Sequence, residues 1–477
     1  MIKFLTVTFA LVLGQAVQAE SLLVKLASPG SVQSTVQIMN AKGLKAQAVS
    51  DTWIEISGDV KLSQFKGFLE SGAVLHAQPN FKVNTYTNPA LANLRKNPKM
   101  LAKIAAFVKA NPGAALAQVD NPEIPNAPTA TPGADPLFSK QWGMNDIGVL
   151  NAWKLAPVTN DIIVAVIDTG VDYTHEDLVG NMWHNTREIP NNGIDDDRNG
   201  FADDIVGWDF LGKDNKPYDM AGSLLDIVLK GANPGHGTHC AGNVAAAGNN
   251  SIGISGVAPT AKIMALRFIG NEGGTTADAV LAIRYAVDNG AKVLSNSWGS
   301  EGEDPADAAT NLALKEAIKY AQDRDVLFIA AAGNGHQGKG YDNDSDPKPA
   351  VPASYDNDNI ISVAAIDSTD NLGTFSNWGA RTVDIAAPGV KVFSTVVQSS
   401  KYTDSIGIGP LTIASWDGTS MATPHVAGAA ALYWSAHPTK NWSEVKAAIL
   451  GSVKPISSVQ GKTTSNGKLN VEALMKF

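Results

Sequence analysis

Cysteine is almost absent from this chain: Cys240 is the single cysteine in 477 residues. A disulfide within the chain is therefore excluded, and stability must come from packing or from bound metal. Long apolar runs are also missing, since beyond the N-terminus none approaches the ~20 residues that cross a bilayer, and we expect no membrane anchor. The net charge of −9 argues against nucleic acid as a partner, because phosphate binding needs a basic surface.

Residues 1–19 have the composition of a signal peptide. Lys3 precedes an apolar run, and the small residues Val17 and Ala19 stand before the expected cleavage site. We therefore expect a secreted protein, extracellular or, in a host with an outer membrane, periplasmic. The 44% hydrophobic composition over this length provides for a large core and a second unit.

Residues 20–87 are predicted to form a separate small unit. Its alternating patterns predict three strands and two helices. These are Leu22–Leu26, Ser31–Ala41, Trp53–Ile56, Leu62–Leu69 and Ala73–Val83, in chain order. The order of strands and helices suits a ferredoxin-like α+β module. Residues 88–134 differ from it, since Pro89–Lys109 predicts one basic amphipathic helix and a proline-rich linker follows.

Residues 135–477 show apolar strand patterns alternating with helix patterns. The strands are predicted at Ile162–Ile167, Ile263–Leu266, Val293–Ser297, Val326–Ala331 and Ile360–Ala364. The helices are predicted at His236–Ala246, Thr276–Asn289, Pro305–Asp323, Ser420–His437 and Ser443–Leu450. Such alternation predicts an α/β domain in which helices cover both faces of a parallel sheet.

Three short motifs bring together the side chains of a hydrolytic site. Asp168 ends a predicted strand, where ligands gather in parallel sheets, and His236 and Ser420 each begin a helix after a glycine-rich turn. A serine hydroxyl needs a base such as His236 to remove its proton, and a carboxylate such as Asp168 to orient that base. The chain order Asp, His, Ser differs from the trypsin order and from that of the α/β-hydrolases.

The segments DTG, HGTH and GTSMATPHVAG resemble the three signatures of the subtilisin-like serine peptidases, with the likeness extending from about Asp135 to the C-terminus. This resemblance implies that Asp168, His236 and Ser420 are the orienting carboxylate, the general base and the nucleophile. It also implies that Asn334 donates a hydrogen bond to the oxyanion. Two segments are expected to line the primary specificity pocket: Ser297, Trp298 and Gly299, and Ala331, Ala332 and Gly333.

The floor of that pocket is expected within Asp342–Ser354, which departs from the subtilisin pattern. Glycine and alanine walls favour large apolar substrate side chains, whereas an aspartate in the floor, Asp344 or Asp346, would favour basic ones. AVLHAQPNF resembles the end of an inhibitor-like propeptide, which in this family leaves its tail in the cleft until cut. Release near Tyr86 and release near Pro132 both remain open, and a permanent accessory domain is the alternative.

Two calcium sites are expected. The acidic run Asn191–Asp204 places oxygen ligands at nearly alternate positions around Gly200, although Val206 stands where a calcium loop has its last glutamate. Its expected ligands are Asp195, Asp197, Asn199 and Asp203. The second site rests on the family resemblance of Gly248–Pro259. Its ligands would be the Asn250 side chain, the carbonyl groups of Gly248, Ile252 and Ile254, and the carboxylates of Asp177 and Asp135.

The sequence therefore predicts a secreted, calcium-stabilised serine endopeptidase that acts on proteins and peptides and is made as a self-processed precursor. Its own propeptide would be the intramolecular inhibitor, and we expect a monomer. A catalytically silent secreted binding protein on the same fold is the main alternative. A self-processing intracellular peptidase is the lesser one, which the signal peptide argues against. Loss of a catalytic residue or of Asn334 would mark the silent protein, and all four are present.

Overall fold

The computed structural model describes most of residues 21–477. Gaps lie at 59, 87, 111–122, 125–133, 156–161, 223–225, 229–231, 301–310, 337, 398–400 and 409–410. The predicted signal peptide, most of the proline-rich linker and the start of the predicted helix Pro305–Asp323 lie outside the described residues. The chain divides into two compact units, residues 1–81 and 82–477.

The first unit is an antiparallel sheet of four strands with two helices. In sheet order the strands are Lys45–Ala48, Trp53–Ser57, Ser21–Leu26 and Val74–Pro79, and the helices are Val32–Ala41 and Lys66–Glu70. Leu22, Val24 and Leu26 alternate along the first strand and face the apolar core, as a sheet buried on one side requires. The edge strand Lys45–Ala48 escaped the sequence analysis, because it is polar, has no buried residue and lacks β-branched side chains.

The second unit is built on a sheet of nine strands. All neighbouring strands are parallel except the pair Lys454–Pro455 and Gly467–Lys468, which is antiparallel. In sheet order the strands are Lys454–Pro455, Gly467–Lys468, Ile385–Pro388, Ile360–Ile366, Leu327–Ala331, Val293–Asn296, Ile163–Asp168, Lys262–Arg267 and Gly207–Asp209. The five predicted strands are the centre of this sheet, and the α/β prediction is confirmed. The missed strands lie toward its edges, where they are short.

Helices pack on this sheet in pairs. The helix His236–Ala245 contacts the helix Thr419–Ala436, and Thr276–Asp288 contacts Leu312–Gln322. Nearly all of Thr419–Ala436 is buried, because alanine and glycine let neighbouring elements approach it from every side. Further helices of the unit lie at Trp142–Asp146, Val149–Leu155, Trp442–Gly451 and Val471–Leu474. Among the described residues, no helix combines the length and apolar character needed to cross a membrane.

Residues 82–110 belong to this second unit. The strand Lys82–Thr85, which we call the tail strand, pairs antiparallel with Gly274–Thr275 on one side and with Trp298–Gly299 on the other. Two helices follow, Pro89–Leu94 and Pro98–Ala110. The sequence predicted a single helix here. It is interrupted because Pro98 disfavours helical backbone at Asn97, whose carboxamide instead accepts a hydrogen bond from Met100 N.

Two short hairpins complete the unit. The first pairs Ser394–Thr395 with Tyr402–Thr403, and the second pairs Ser405–Ile408 with Leu411–Ser415. The strand Leu411–Ser415 contacts the helix Pro89–Leu94 and leads directly into the turn before Ser420. The second strand of this hairpin therefore packs against the helix that follows the tail strand, and the chain continues from it to the predicted nucleophile.

Candidate active site

Asp168 and His236 form a buried pair at the carboxyl end of the central strand Ile163–Asp168. The Asp168 Oδ1 to His236 Nδ1 distance is 2.7 Å, and the same oxygen accepts a hydrogen bond of 2.7 Å from Thr169 N. Burial is the largest single influence on the imidazole and opposes its charge, but the charge and hydrogen bond of Asp168, together with the neighbouring Cys240, outweigh it, and the pKa of His236 is raised well above its usual value. The carboxylate therefore both orients the ring and favours its protonated form.

His236 is fixed by the turn before its helix. Gly235 has a φ of +93°, in the left-handed region that glycine adopts without strain. The Asn233 side-chain oxygen accepts hydrogen bonds from the backbone N–H groups of Gly235 and His236, each 2.9 Å long. These bonds satisfy helix N-terminal donors that have no partner within the helix. Among the described residues, His236 Nε2 is buried without a hydrogen-bond partner, and it lines the same cleft as Ser420.

Ser420 is the second residue of the helix Thr419–Ala436. Its hydroxyl donates to the Ser297 carbonyl over 3.1 Å, and the Ser297 hydroxyl donates to the Ser420 carbonyl over 2.9 Å. This reciprocal pair ties the predicted nucleophile to a predicted specificity segment. The structure thus brings Asp168, His236 and Ser420 to one site at the carboxyl ends of the strands, where the sequence analysis expected them.

The Asn334 carboxamide has a defined orientation. Its oxygen accepts hydrogen bonds from Thr419 N at 2.8 Å and from Thr419 Oγ1 at 2.9 Å. Because that oxygen is engaged, the amide nitrogen points to the other side, and a Cβ atom on Gly418 would lie 3.1 Å from it. A donor group is therefore held beside the turn that leads into Ser420.

Tyr86 occupies the predicted specificity pocket. It follows the tail strand, is buried, and forms one apolar cluster with Ala331 and Ala350. A Cβ atom on Gly299 would lie 2.1 Å from the tyrosine hydroxyl oxygen, so the absence of a side chain at Gly299 makes room for the ring. Ala332 does not join this cluster, because it packs in a separate apolar cluster.

Ala350 is the residue of the expected segment Asp342–Ser354 that packs in the apolar cluster with Tyr86. Asp344 accepts hydrogen bonds from Thr382 N and Oγ1, and Asp346 lies 3.6 Å from His336, so both carboxylates are engaged elsewhere. This arrangement favours the large apolar preference over the basic one.

The second wall of the cleft, Gly274–Thr275, escaped the sequence analysis. It pairs with Lys82 and Val83 of the tail strand. A Cβ atom on the preceding Gly273 would lie 2.3 Å from Asn84 Oδ1. The glycine pair before Thr275 was the available signal, because close backbone approach is one reason for adjacent glycines outside regular structure.

Three carboxylates lie close together in and beside the acidic run Asn191–Asp204. The ligand oxygens of Glu188, Asp195 and Asp197 all lie within 4.8 Å of one another. Asp203 does not join them, and its oxygens accept hydrogen bonds from the backbone at Asn192 and Gly193. Asn199 is adjacent: its backbone N–H donates to Asp195 and Asp197, and its amide nitrogen lies 3.3 Å from Asp197 Oδ2. Glu188 lies outside the acidic run and was missed for that reason.

Expected ligands of the second calcium site also lie close together. Asp135 accepts hydrogen bonds from the backbone at Asn249 and Asn250, and Asp177 accepts one from the Asn250 amide at 2.9 Å. Burial, with a further contribution from Asp135, raises the pKa of Asp177 to about 7. Asp177 Oδ2 also accepts from Ile254 N, which places this carboxylate against the expected loop.

Comparison with known proteins agrees with this geometry. The model of the subtilase family matches residues 159–471. Thermitase from Thermoactinomyces vulgaris is 36% identical over 345 residues, which cover 72% of this chain and 99% of thermitase. Subtilisin Savinase from Lederbergia lenta is 34% identical over 338 residues, covering 70% and 98%. The crystal structure of fervidolysin from Fervidobacterium pennivorans, a keratinolytic enzyme related to subtilisin, matches with a TM-score of 0.64 and 24% identity.

The fervidolysin match covers 96% of this chain and 61% of fervidolysin, and at that identity it concerns the fold. The family match goes further, because it extends across the strands and helices that carry the buried aspartate, the histidine and the serine. The two enzyme relatives add identities above 30% over almost their whole length. This chain therefore belongs to the subtilase family and is a serine endopeptidase.

Proposed function

We propose that the protein is a secreted, calcium-stabilised endopeptidase that cleaves its own precursor with Asp168, His236 and Ser420. The observation that carries this proposal is the position of the tail strand. It pairs through its backbone with both walls of the cleft, as an extended peptide substrate would. Tyr86 then fills the pocket beside Ser420, so the bond after Tyr86 is the proposed processing site.

The proposed reaction begins when Ser420 Oγ attacks the Tyr86 carbonyl carbon and His236 Nε2 takes the hydroxyl proton. The Asn334 amide and the Ser420 backbone N–H donate to the oxyanion. His236 then gives its proton to the leaving nitrogen as the carbon–nitrogen bond breaks, which leaves an acyl-enzyme. Water, activated by the same imidazole, hydrolyses this ester and restores the serine. The same steps would cleave protein substrates.

The first unit is proposed as the inhibitory propeptide. Its order of strands and helices, β-α-β-β-α-β, is that of ferredoxin-like modules. The chain from Lys82 onward then enters the cleft of the peptidase unit. Of the two release sites that the sequence left open, the position of Tyr86 supports the first. A permanent accessory domain receives no support from a tail that occupies the specificity pocket.

The proposal is tested by treating the purified protein with a fluorophosphonate probe, then measuring intact mass and mapping the labelled peptide. We expect label on Ser420 in a chain that begins at Thr87 or later. A shortened, folded chain without label would favour the silent binding protein. A full-length chain without label would be cut in the 111–133 region with a second protease and tested again, and absence of label there would also reject the proposal.

Asn334→Ala is expected to lower kcat with little change in KM. The amide donates to charge that develops only in the transition state, so its loss leaves substrate binding nearly intact. The equivalent change in subtilisin costs about 10²- to 10³-fold in turnover, and we carry that figure over. Steady-state kinetics on a peptide substrate checks it. An equal rise in KM at constant kcat would instead assign Asn334 to substrate binding.

Tyr86→Asp is expected to slow processing, because a carboxylate would enter a pocket lined by Ala331 and Ala350. Burying one unpaired charge costs several kcal/mol, so the half-time of maturation should rise at least about 100-fold. Tyr86→Phe is the matched control and should mature at the wild-type rate. Mass spectrometry of a time course measures both. Unchanged cleavage of the aspartate variant after residue 86 would remove Tyr86 from the pocket.

Calcium is proposed at two places, and the donor sets fit it. Glu188, Asp195 and Asp197 offer three carboxylates within reach of one ion. Asp135 and Asp177 converge on Asn250, and a cation there would offset the repulsion between these carboxylates. Oxygen donors on flexible loops suit calcium better than zinc. The ions would fix the loops, without a part in the chemical steps.

EDTA is expected to lower the Tm of the mature enzyme. An ion present at 100 times its Kd stabilises the folded state by about 2.7 kcal/mol, which for a domain of this size is about 4 °C. Asp195→Asn should reduce the EDTA response. Asp196→Asn, on the same loop but outside the cluster, should retain it. Differential scanning calorimetry measures the shift, and equal Tm values with and without EDTA would contradict both sites.

A further inference from the structure

Asp219 is a fully buried carboxylate that no step of the proposed reaction uses. Its Oδ1 accepts hydrogen bonds from Thr169 Oγ1 at 2.9 Å and from Asn233 Nδ2 at 2.6 Å. Its Oδ2 accepts from Thr238 N at 2.9 Å and from Thr238 Oγ1 at 2.7 Å. Four donors on one buried carboxylate form a network whose loss would leave several polar groups unsatisfied.

Each partner of Asp219 lies within three residues of a catalytic residue in the chain. Thr169 follows Asp168 and donates its backbone N–H to the Asp168 carboxylate. Asn233 accepts from the backbone N–H of His236, and Thr238 lies on the first turn of the same helix. The network closes on itself, since Gly237 N donates to Thr169 Oγ1 over 2.9 Å.

We propose that Asp219 is a positioning residue for catalysis, which holds the segment after Asp168 in register with the turn and helix that carry His236. This inference rests on the proposed function. Burial raises the pKa of Asp219 to about 6, against the hydrogen bonds from Thr238, Asn233 and Thr169. All four groups that contact its oxygens are donors, the set that an ionised carboxylate accepts. An ionised carboxylate makes shorter and stronger hydrogen bonds than a neutral acceptor, which suits a rigid connection.

A double-mutant cycle tests whether Asp219 acts through the catalytic pair. Asp219→Asn should lower kcat about 10- to 100-fold with KM within twofold, the cost expected of a small misplacement of reacting groups. In an Asp168→Asn background the same change should cost at most threefold, because there is no oriented pair left to displace. Rates are divided by the fraction of folded protein measured by circular dichroism, because fluorophosphonate labelling of Ser420 itself depends on the catalytic pair.

Equal losses in both backgrounds, or a wild-type kcat for Asp219→Asn, would overturn the proposal. Asp384→Asn is the matched control, a buried carboxylate outside this network that accepts from Ser362 N, and it should change Tm without changing kcat. If Asp219→Asn does not fold, Thr169→Val should lower kcat and Thr169→Ser should restore it. Inactive wild-type protein would refute the proposed function itself, which distinguishes the two failures.

A second, independent observation concerns the helices Pro89–Leu94 and Pro98–Ala110, which we call the plug. Leu91, Leu94 and Ile104 are buried in the same apolar core as the helix of Ser420. Arg95 Nε donates to the Val228 carbonyl over 2.8 Å. The plug lies on the C-terminal side of the bond after Tyr86, so cleavage of that bond leaves these contacts in place.

The plug also contacts the edge of the cleft. Asn88, just before it, donates its amide to the carbonyl groups of Ser415 and Asp417, at 2.8 and 3.3 Å. Leu91 and Arg95 line one cleft together with His236 and Ser420. We infer that the plug is a second inhibitory element, which remains bound after the Tyr86 bond is cut and covers the leaving-group side until residues 111–134 are also cut.

Comparison of processed species tests this second inference, which also rests on the proposed function. Wild-type protein that begins at Thr87 should react with fluorophosphonate at least tenfold more slowly than protein from which the plug is lost. Leu91→Asp should abolish that difference, and Arg95→Ala should reduce it. Lys99→Ala, an exposed site on the second helix, is the control and should keep it.

Equal labelling rates for the two wild-type species would overturn the inhibitory role of the plug. Failure of the proposed function would be distinct, since Ser420 would then remain unlabelled in every species, including those without the plug. A chain beginning at Thr87 that is never cut again, yet labels as fast as protein without the plug, would likewise contradict the inference.

Discussion

Ser420→Ala leaves the chain at full length and without measurable peptidase activity. The alanine has no hydroxyl to attack the Tyr86 carbonyl, so neither self-processing nor turnover of added substrate can begin. In subtilisin, removal of the nucleophile costs about 10⁶-fold in kcat, and we carry that magnitude over. Intact mass over several days, with and without a trace of wild-type enzyme, measures the result. Added wild-type enzyme should restore cleavage in trans.

Ser435→Ala is the matched control for this change. It lies on the same buried helix, outside the cleft, and we expect it to mature and label like wild type. Purified Ser420→Ala that shortens on its own at the bond after Tyr86 would contradict the assignment of Ser420. The tail strand would then have to be cut by another group of the cleft.

Asp168→Asn is expected to lower kcat about 10⁴-fold and to move the lower limb of the pH profile to lower pH. In the wild type, burial is the largest single influence on His236 and lowers its pKa, yet Asp168 and Cys240 together raise that pKa well above the usual value. The neutral imidazole is the base, so activity is lost as pH falls through that pKa. Removing the negative charge leaves burial as the larger influence, which lowers the pKa and extends activity to lower pH.

The profile of kcat/KM against pH on a small peptide substrate measures this shift, after the propeptide and the plug have been removed. We expect the lower limb of the Asp168→Asn profile to move down by at least one pH unit. Asp172→Asn is the control, because it replaces a nearby carboxylate that bonds Thr174 instead of His236. A limb that stays in place in Asp168→Asn would show that another group controls the titration.

The centre of the fold could be predicted because its sequence patterns are strong. Ile163–Asp168 and Leu327–Ala331 are almost wholly buried, so each reads as an unbroken apolar run. The buried aspartate, the histidine and the serine stand in motifs whose glycine and small residues reflect tight turns and close packing. In these segments the local sequence pattern agrees with the place that each segment has in the folded protein.

The parts that escaped prediction depend on contacts between distant segments. Lys45–Ala48 is a strand because it pairs with Trp53–Ser57, although its own residues are poor strand formers. Glu188 joins the acidic cluster only through the fold of the loop. Asp219 likewise bonds residues of two distant segments, at Thr169 and at Asn233 and Thr238, and nothing in its neighbouring sequence marks it. Side chains of this kind need a structure to be recognised.

The pairing of the tail strand has a consequence for the substrates of the mature enzyme. Lys82–Thr85 is held by main-chain bonds on both edges, so any replacement must offer a free, extended stretch of backbone. Helices and interior sheet strands of a folded protein cannot offer one, since their main-chain groups are already paired. The rate at which this enzyme degrades a native protein should therefore follow how often that protein opens locally. Target proteins that rarely open locally should accordingly be degraded slowly.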